Sequence, residues 1–188
     1  AFVEPADSVG RSRWLSDAQP MSYDLCRSIA DSLTSSDVPS GLSARGKMLL
    51  EELRESYGFL ELGKTALILD DDGNAKWWNF AGKLVNSAVK AKLDGVAGRV
   101  MAENECVILY NVFEPYKLGK ELRRLLNDDA YIPIVDLDEG FVSELKFSEC
   151  LSQKLSDQVL SARYDASADW TRIRGLELAV IHFRSDEL

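Results

Sequence analysis

One stretch of the sequence has the residue types and spacing of a phosphate-binding loop. Gly58, Gly63, Lys64 and Thr65 match the pattern G-x-x-x-x-G-K-[ST] letter for letter. In a working loop of this kind, a buried strand comes first and a helix begins at the Lys-Thr pair, so that its N-terminal amides face the phosphates. Here a charged helical pattern precedes the loop and a strand-like apolar run follows it. Because the order is inverted, we interpret the match as a chance one.

The residues inside and after this loop have simpler explanations. Phe59, Leu60 and Leu62 are apolar, which predicts core residues rather than a phosphate cradle. The run Asp70-Asp71-Asp72 is followed by Gly73-Asn74, and this combination is typical of a solvated hairpin turn. The carboxylates lie too close to the loop for the usual layout of a magnesium ligand. We therefore predict no nucleotide site here.

Few other side chains offer chemistry. The three cysteines, Cys26, Cys106 and Cys150, are scattered, and His182 is the only histidine. An odd, scattered trio does not form a disulfide framework, and no short-spaced Cys or His pair suits zinc. We expect buried free thiols, a structural histidine and a reducing cytoplasm. A catalytic triad through His182 would need partners that sequence cannot reveal.

Composition narrows the class of protein further. The 188 residues include 22 Lys and Arg against 31 Asp and Glu, a net charge of −9, and 46% apolar residues. This is ordinary globular composition for one domain. The charge disfavours a phosphate-binding surface over the whole domain but leaves a local basic patch open. No run of 18 apolar residues and no signal peptide is present, so we expect no membrane partner.

The periodicity predicts an α+β fold, mainly antiparallel, with flanking helices in a single domain. Residues 1–20 are expected to be an N-terminal arm, and residues 21–188 the domain. Ser22, Ser43, Pro115 and Ser152 mark predicted helix starts. Further helices are expected at 81–93 and near Trp170. Strands are predicted at 65–69, 76–80, 96–101, 106–112, 132–135 and 176–183.

The segment from Lys76 to Gly82 reads K-W-W-N-F-A-G and is the most specific in the chain. If it is a strand, Trp77 and Trp78 point to opposite faces of the sheet. One interpretation is a core anchor beside a partly exposed partner, which packing alone favours. The other is a stacking platform for bases, with Lys83 nearby for a phosphate.

Two more segments accompany this one. Arg11-Ser12-Arg13-Trp14-Leu15 precedes the first helix, and Leu145-Lys146-Phe147-Ser148-Glu149-Cys150-Leu151 precedes the Ser152 helix. In this order and with these separations, the three segments resemble the C-terminal domain of the Lhr-type (large helicase-related) ATP-dependent DEAD/DEAH-box helicases. The resemblance runs from about Arg11 to Trp170.

The resemblance implies a parent protein rather than an activity of this piece. Members of that family are cytoplasmic DNA or RNA helicases associated with repair, which couple ATP hydrolysis to 3′-to-5′ translocation. They have two motor domains, a winged helix and then an α+β domain of this kind. ATP and Mg²⁺ act in the motor domains, and no cofactor is expected in this chain. The absence of an initiator Met agrees with a fragment that begins after the winged helix. The family also has an ordinary helix-to-strand junction at the phosphate-loop match.

We therefore expect a non-catalytic accessory domain and a monomeric fragment. Its partners would be the motor and winged-helix domains of the same parent chain, which it braces, and a single strand of DNA or RNA, which it helps to guide. The candidate contacts are Arg11, Arg13, Trp14, Trp77, Trp78, Lys83 and Asn86. A purely structural role for them is favoured because the chain is acidic. The alternative is a free-standing protein-interaction module of a multi-protein nucleic-acid-processing system.

Overall fold

The computed structural model describes residues 20–129, 150–163 and 166–182. The described helices are α1 Tyr23–Thr34, α2 Ala44–Ser56, α3 Lys83–Leu93, α4 Pro115–Leu126, α5 Gln153–Arg163 and α6 Ala166–Arg174. The described strands are β1 Lys64–Leu69, β2 Ala75–Trp78, β3 Ala97–Ala102, β4 Cys106–Val112 and β5 Glu177–His182. The predicted helix starts at Ser22, Ser43, Pro115 and Ser152 are confirmed.

Local side chains explain where the first two helices begin. The Oγ of Ser22 accepts a hydrogen bond from the amide of Leu25, and the Oγ of Ser43 accepts one from the amide of Gly46 at 3.1 Å. These bonds satisfy amides that have no partner inside the helix. Helix α4 begins at Pro115, whose fixed φ suits a first helical position.

The five described strands form one sheet in the order β3-β4-β2-β1-β5. Three of the four pairings are antiparallel, and only β5 runs parallel to β1, with Leu67 opposite Val180. A parallel neighbour needs a long crossover, and here the chain passes through α4, α5 and α6 between β4 and β5. The predicted α+β class with a mainly antiparallel sheet is confirmed.

The main core lies on one face of the sheet, beneath three helices. Leu67, Trp77 and Leu109 project from the strands and are completely buried. Facing them are the buried side chains of α3, α4 and α6, which are Val85, Val89, Leu93, Leu118, Leu122, Leu126, Trp170 and Ile173. This cluster fixes which side of the sheet is closed by helices.

A smaller cluster lies beside the strand end at Trp78. Cys26 and Ala30 of α1 pack there with Phe80, and Trp78 borders them. Tyr23, on another side of α1, joins the main core instead. Helix α1 therefore ties the two clusters together, because its buried side chains reach both.

Some sequence predictions are corrected by the structure. Leu62 is not a core residue, since it lies in a surface turn with 67% of its area exposed. Cys150 is exposed rather than buried, and His182, at the end of β5, is exposed too. The strand predicted at 132–135 and the N-terminal arm, apart from Pro20, lie outside the described residues. No helix in the described ranges is long and apolar enough to cross a membrane.

The burial of Trp77 predicts a large loss of stability on truncation. Trp77→Ala is expected to lower the free energy of unfolding by about 3–5 kcal/mol, because it opens a large cavity in the main core. Leu62→Ala, at an exposed apolar site, should change it by less than about 0.5 kcal/mol. Urea unfolding followed by fluorescence and circular dichroism measures both. Equal effects of the two changes would contradict this placement of Trp77.

Candidate nucleic-acid interface

The two tryptophans of the K-W-W-N-F-A-G segment lie in different surroundings. Trp77 is completely buried in the main core, opposite Leu67 of β1. Trp78 is half-buried on the other face, with Tyr57, Phe59 and Phe80 around it at ring centroid distances of 5.5, 5.8 and 6.2 Å. The predicted opposite orientation is confirmed, and only Trp78 retains any exposed surface.

The asparagines of this region form a buried polar network. The Nδ2 of Asn79 donates to the Oδ1 of Asn86 at 2.7 Å, and the Nδ2 of Asn86 donates to the backbone oxygen of Glu103 at 2.8 Å. The Oδ1 of Asn79 also accepts from the amide of Ala81. Both side chains are almost completely buried. Satisfied polar groups of this kind fix one arrangement of a core, so the network joins β2, α3 and the β3–β4 turn.

Asn104, in the β3–β4 turn, adds further hydrogen bonds in this region. Its Oδ1 accepts hydrogen bonds from the amides of Met21 at 2.8 Å and Lys83 at 3.2 Å. The N-cap of α3 is Gly82, which has no side chain with which to cap the helix. The side chain of Asn104, distant in sequence, therefore serves the first amide of α3.

Gly82 is required by both its backbone and its neighbours. Its φ is +85°, in a region that L side chains rarely adopt, and a Cβ there would lie 2.7 Å from the backbone oxygen of Met21. Its amide donates to the backbone oxygen of Asn104 at 2.9 Å. The glycine of the segment thus permits close approach between α3 and the start of α1.

Two thiols beside this network behave as apolar groups. Burial raises the pKa of the Cys106 thiol to about 12 and that of Cys26 to about 11. Both stay protonated at neutral pH, because desolvation penalises the thiolate. Cys106 lines a groove of about 350 Å³ with Trp78, Phe80 and Leu53.

The sheet face opposite to α3, α4 and α6 carries an apolar row. Ile181, Ile68, Lys76, Ile108 and Met101 are paired positions across all five strands, so they share this face. The four apolar members are half-buried and Lys76 is exposed. We call this row, with the residues around the adjoining groove, the open sheet face.

The groove on the open sheet face has a volume of about 440 Å³. Phe59, Trp78 and Tyr110 form its aromatic walls, and Lys76 contributes the cation. The guanidinium of Arg99 lies 5.8 Å from the ring centre of Tyr110, within the range of a cation–π contact. This face can bury an apolar partner or stack planar groups.

The residues of the phosphate-loop pattern are placed as a helix-to-strand junction. Helix α2 precedes them, and β1 begins at Lys64. The Nζ of Lys64 lies 2.7 Å from Glu61 and 3.7 Å from Glu177, while Thr65 is buried within the strand. The order of elements expected from the sequence is confirmed. The acidic turn is also a hairpin turn, in which Asp70 accepts from the amide of Asn74 at 2.7 Å.

The predicted contact residues do not converge on one surface. Trp77 and Asn86 are fully buried and cannot touch a strand in this structure, so their role as contacts is corrected to a structural one. Trp78 lies at the open sheet face, and Lys83 lies in the first turn of α3, half-buried. Arg11, Arg13 and Trp14 lie outside the described residues.

Sequence reasoning missed several residues at this surface. The sequence pattern predicts Phe59 in the core and gives no role to Lys76 or Tyr110, whereas all three line the groove. The signal for Lys76 was available, because residues two apart on a strand share a face and Lys76 is two before Trp78. Tyr110 depends on strand register, which the sequence pattern leaves open.

Comparisons with known proteins found no protein family, curated protein or solved structure that matches this chain. Within the described ranges, no three His, Cys, Asp or Glu side chains lie together in a way that could hold a metal ion. The described surface offers apolar burial, aromatic stacking and charge.

The environment of Gly82 predicts that a methyl group will be poorly tolerated. Gly82→Ala should lower the free energy of unfolding by about 1–3 kcal/mol, because the backbone conformation is strained for alanine and the Cβ meets Met21. Gly95→Ala is the matched control, since no atom lies within 4 Å of its Cβ position, and it should cost less than about 1 kcal/mol. Thermal and urea unfolding test both. A Gly82→Ala protein as stable as the control would show that the close approach is wrong.

The Asn79–Asn86 hydrogen bond predicts energetic coupling. Each single change to Ala should cost about 1–3 kcal/mol, because it leaves a buried partner unsatisfied. The double change should cost less than the sum by about 1 kcal/mol, as residues in one network are not additive. A double-mutant cycle by urea unfolding measures this. Strict additivity would mean that the two side chains do not interact.

Proposed function

We propose that this chain is a non-catalytic accessory domain of an ATP-dependent superfamily-two helicase of the Lhr type. In this role it braces the motor and winged-helix domains of the parent chain and helps to guide a single strand. ATP and Mg²⁺ would act in those motor domains, and the parent would work in the cytoplasm, in nucleic-acid repair. The sequence support is the resemblance of the segments at 11–15, 76–82 and 145–151.

The observation that carries the bracing role is the open sheet face. Its row of Ile68, Ile108, Ile181 and Met101 places four apolar side chains together, half-buried, next to the aromatic groove. Contiguous apolar surface of this kind is typical of a protein–protein or interdomain contact. Lys76 at the centre of the row would meet a carboxylate or a backbone oxygen of the docked domain.

The buried network supports the same role. Asn79, Asn86, Asn104 and Gly82 hold the fold rather than presenting reactive groups. The K-W-W-N-F-A-G segment thus contributes to a rigid frame, which suits a domain that holds the motor and winged-helix domains in position. Rigid elements keep an interface ready-formed and lower the ordering cost of docking.

A second candidate is a free-standing protein-interaction module. Helix α2 favours it, because Met48, Leu49 and Leu53 are each about half exposed along that helix. The two candidates differ in what lies on the same polypeptide. The accessory domain requires motor domains encoded by the same gene, whereas the module does not.

The full product of the gene that encodes this sequence provides the test. We expect it to carry motor domains and to hydrolyse ATP faster when single-stranded nucleic acid is added. Met101→Glu/Ile181→Glu should reduce that stimulation several-fold, because charges on the open sheet face oppose docking. Val38→Glu, an exposed loop change, is the control and should retain it.

A gene product without motor domains, or one without ATP hydrolysis, would overturn the accessory role and favour the interaction module. Circular dichroism of the variants separates a docking defect from misfolding. Full stimulation in a folded Met101→Glu/Ile181→Glu protein would remove the open sheet face from the docking contact.

A further inference from the structure

Charge is distributed unevenly over this acidic chain. Helices α3 and α4 together carry seven Lys and Arg and only one acidic residue, Glu121, although the whole chain has a net charge of −9. The basic residues are Lys83, Lys90, Lys92, Lys117, Lys120, Arg123 and Arg124. Asp94, Glu114 and Asp128 lie next to the helix ends, so the local excess of positive charge is smaller than this count, but it is opposite in sign to the net charge of the chain.

The two helices that carry these side chains lie on the same face of the sheet. Both pack on the core face of the sheet, through the leucines and valines of the main core. A groove of about 460 Å³ lies between the end of α3 and α4, and it carries both signs of charge, because Lys92 and Arg124 line it together with Glu121 and Asp128. We call the outward sides of both helices, with this groove, the α3–α4 surface.

Two ion pairs on α4 lie at the surface of the protein. Lys117 pairs with Glu114 at 2.8 Å, and Arg124 pairs with Glu121 at 3.2 Å. The side chains of Lys117 and Arg124 are 67% and 82% exposed. Exposed pairs of this kind are weak, so a phosphate group can replace either carboxylate.

Exposed aromatic rings lie at the start of α4. Phe113 is 65% exposed and Tyr116 is 95% exposed. Tyr116, Lys120 and Arg123 follow one another at helical spacing, so they lie along one side of α4. A ring that stacks a base, next to cations that meet the phosphates, is the usual combination for single-strand binding.

We propose that the phosphate backbone of a single-stranded nucleic acid lies along the α3–α4 surface. The inference rests on the proposed function and names the surface that guides the strand. It moves the contact away from the K-W-W-N-F-A-G segment, of which Trp77 and Asn86 are buried. The open sheet face lies on the other side of the sheet from these two helices.

An anionic membrane fits this surface less well. A helix that binds a membrane presents an apolar side to the lipid, between its cations. The apolar side of α4 is instead buried, since Leu118, Leu122 and Leu126 belong to the main core. The outward side has charge and two rings, but no continuous apolar stripe to insert.

The test compares three double variants with the same change in charge. Lys120→Glu/Arg123→Glu alters the α3–α4 surface, and Lys76→Glu/Arg99→Glu alters the open sheet face. Arg45→Glu/Lys47→Glu, in the first turn of α2, is the control, where acidic residues suit the helix N-terminus. Fluorescence anisotropy with labelled single strands of DNA and of RNA measures affinity at two salt concentrations. Circular dichroism checks folding.

We expect salt-sensitive binding of a strand, at least about tenfold weaker in Lys120→Glu/Arg123→Glu and nearly unchanged in the other two. The affected variant should also show a shallower dependence on salt. Tyr116→Ala should weaken binding about tenfold without altering that dependence, because it removes stacking rather than charge.

Three results would overturn the inference. The first is no binding of either strand by the unmodified chain at tens of micromolar. The second is equal weakening by all three double variants, which would report net charge alone, or selective weakening by Lys76→Glu/Arg99→Glu. The third is binding to vesicles of anionic lipid that depends on Lys120 and Arg123 when strand binding does not. ATP hydrolysis by the full gene product is measured separately, so the accessory role can stand if this surface fails.

Discussion

A single side-chain oxygen joins three segments of the fold that are distant in sequence. The Oδ1 of Asn104 accepts from the amides of Met21 and Lys83, and so fixes the starts of α1 and α3 against the β3–β4 turn. An amide that loses water without gaining a partner is costly, so these two bonds stabilise the segment before α1 and the first turn of α3. Gly82 lets the backbone before α1 approach the start of α3 closely enough for these bonds to form. The hydrogen bond between Asn79 and Asn86 extends the connection to the end of β2. Trp78 directly precedes Asn79, so these hydrogen bonds also hold the backbone next to Trp78 in place.

The fixed frame gives the molecule two unlike sides. Three helices cover one face of the sheet, and two of them carry seven Lys and Arg between them. The opposite face carries isoleucines, a methionine and aromatic rings around a groove. Burying apolar surface away from water lowers the free energy of binding. Cations bind a polyanion most favourably because they release the counterions that surround it. The two sides therefore offer different interactions, apolar burial on one and charge on the other.

Local signals predicted the elements well, and nonlocal contacts explain what was missed. Ser22, Ser43 and Pro115 mark helix starts because each acts within one turn of its own position. Alternation predicted that Trp77 and Trp78 diverge, but which one is buried depends on where α3, α4 and α6 pack. The role of Asn104 was invisible because its partners are distant in sequence. Leu62 was misplaced because an apolar residue in a turn is not obliged to be buried.

The parallel pairing of β5 with β1 has a consequence for how the chain is made. Strand β1 is synthesised early, yet its neighbour on one side is the last described strand. Until β5 emerges from the ribosome, the outer edge of β1 has unpaired amides and carbonyls that can recruit strands from other molecules. Pairings between such distant segments also slow folding, because a long loop must close first. The nascent chain is thus open to aggregation at this edge during the interval between the synthesis of β1 and that of β5.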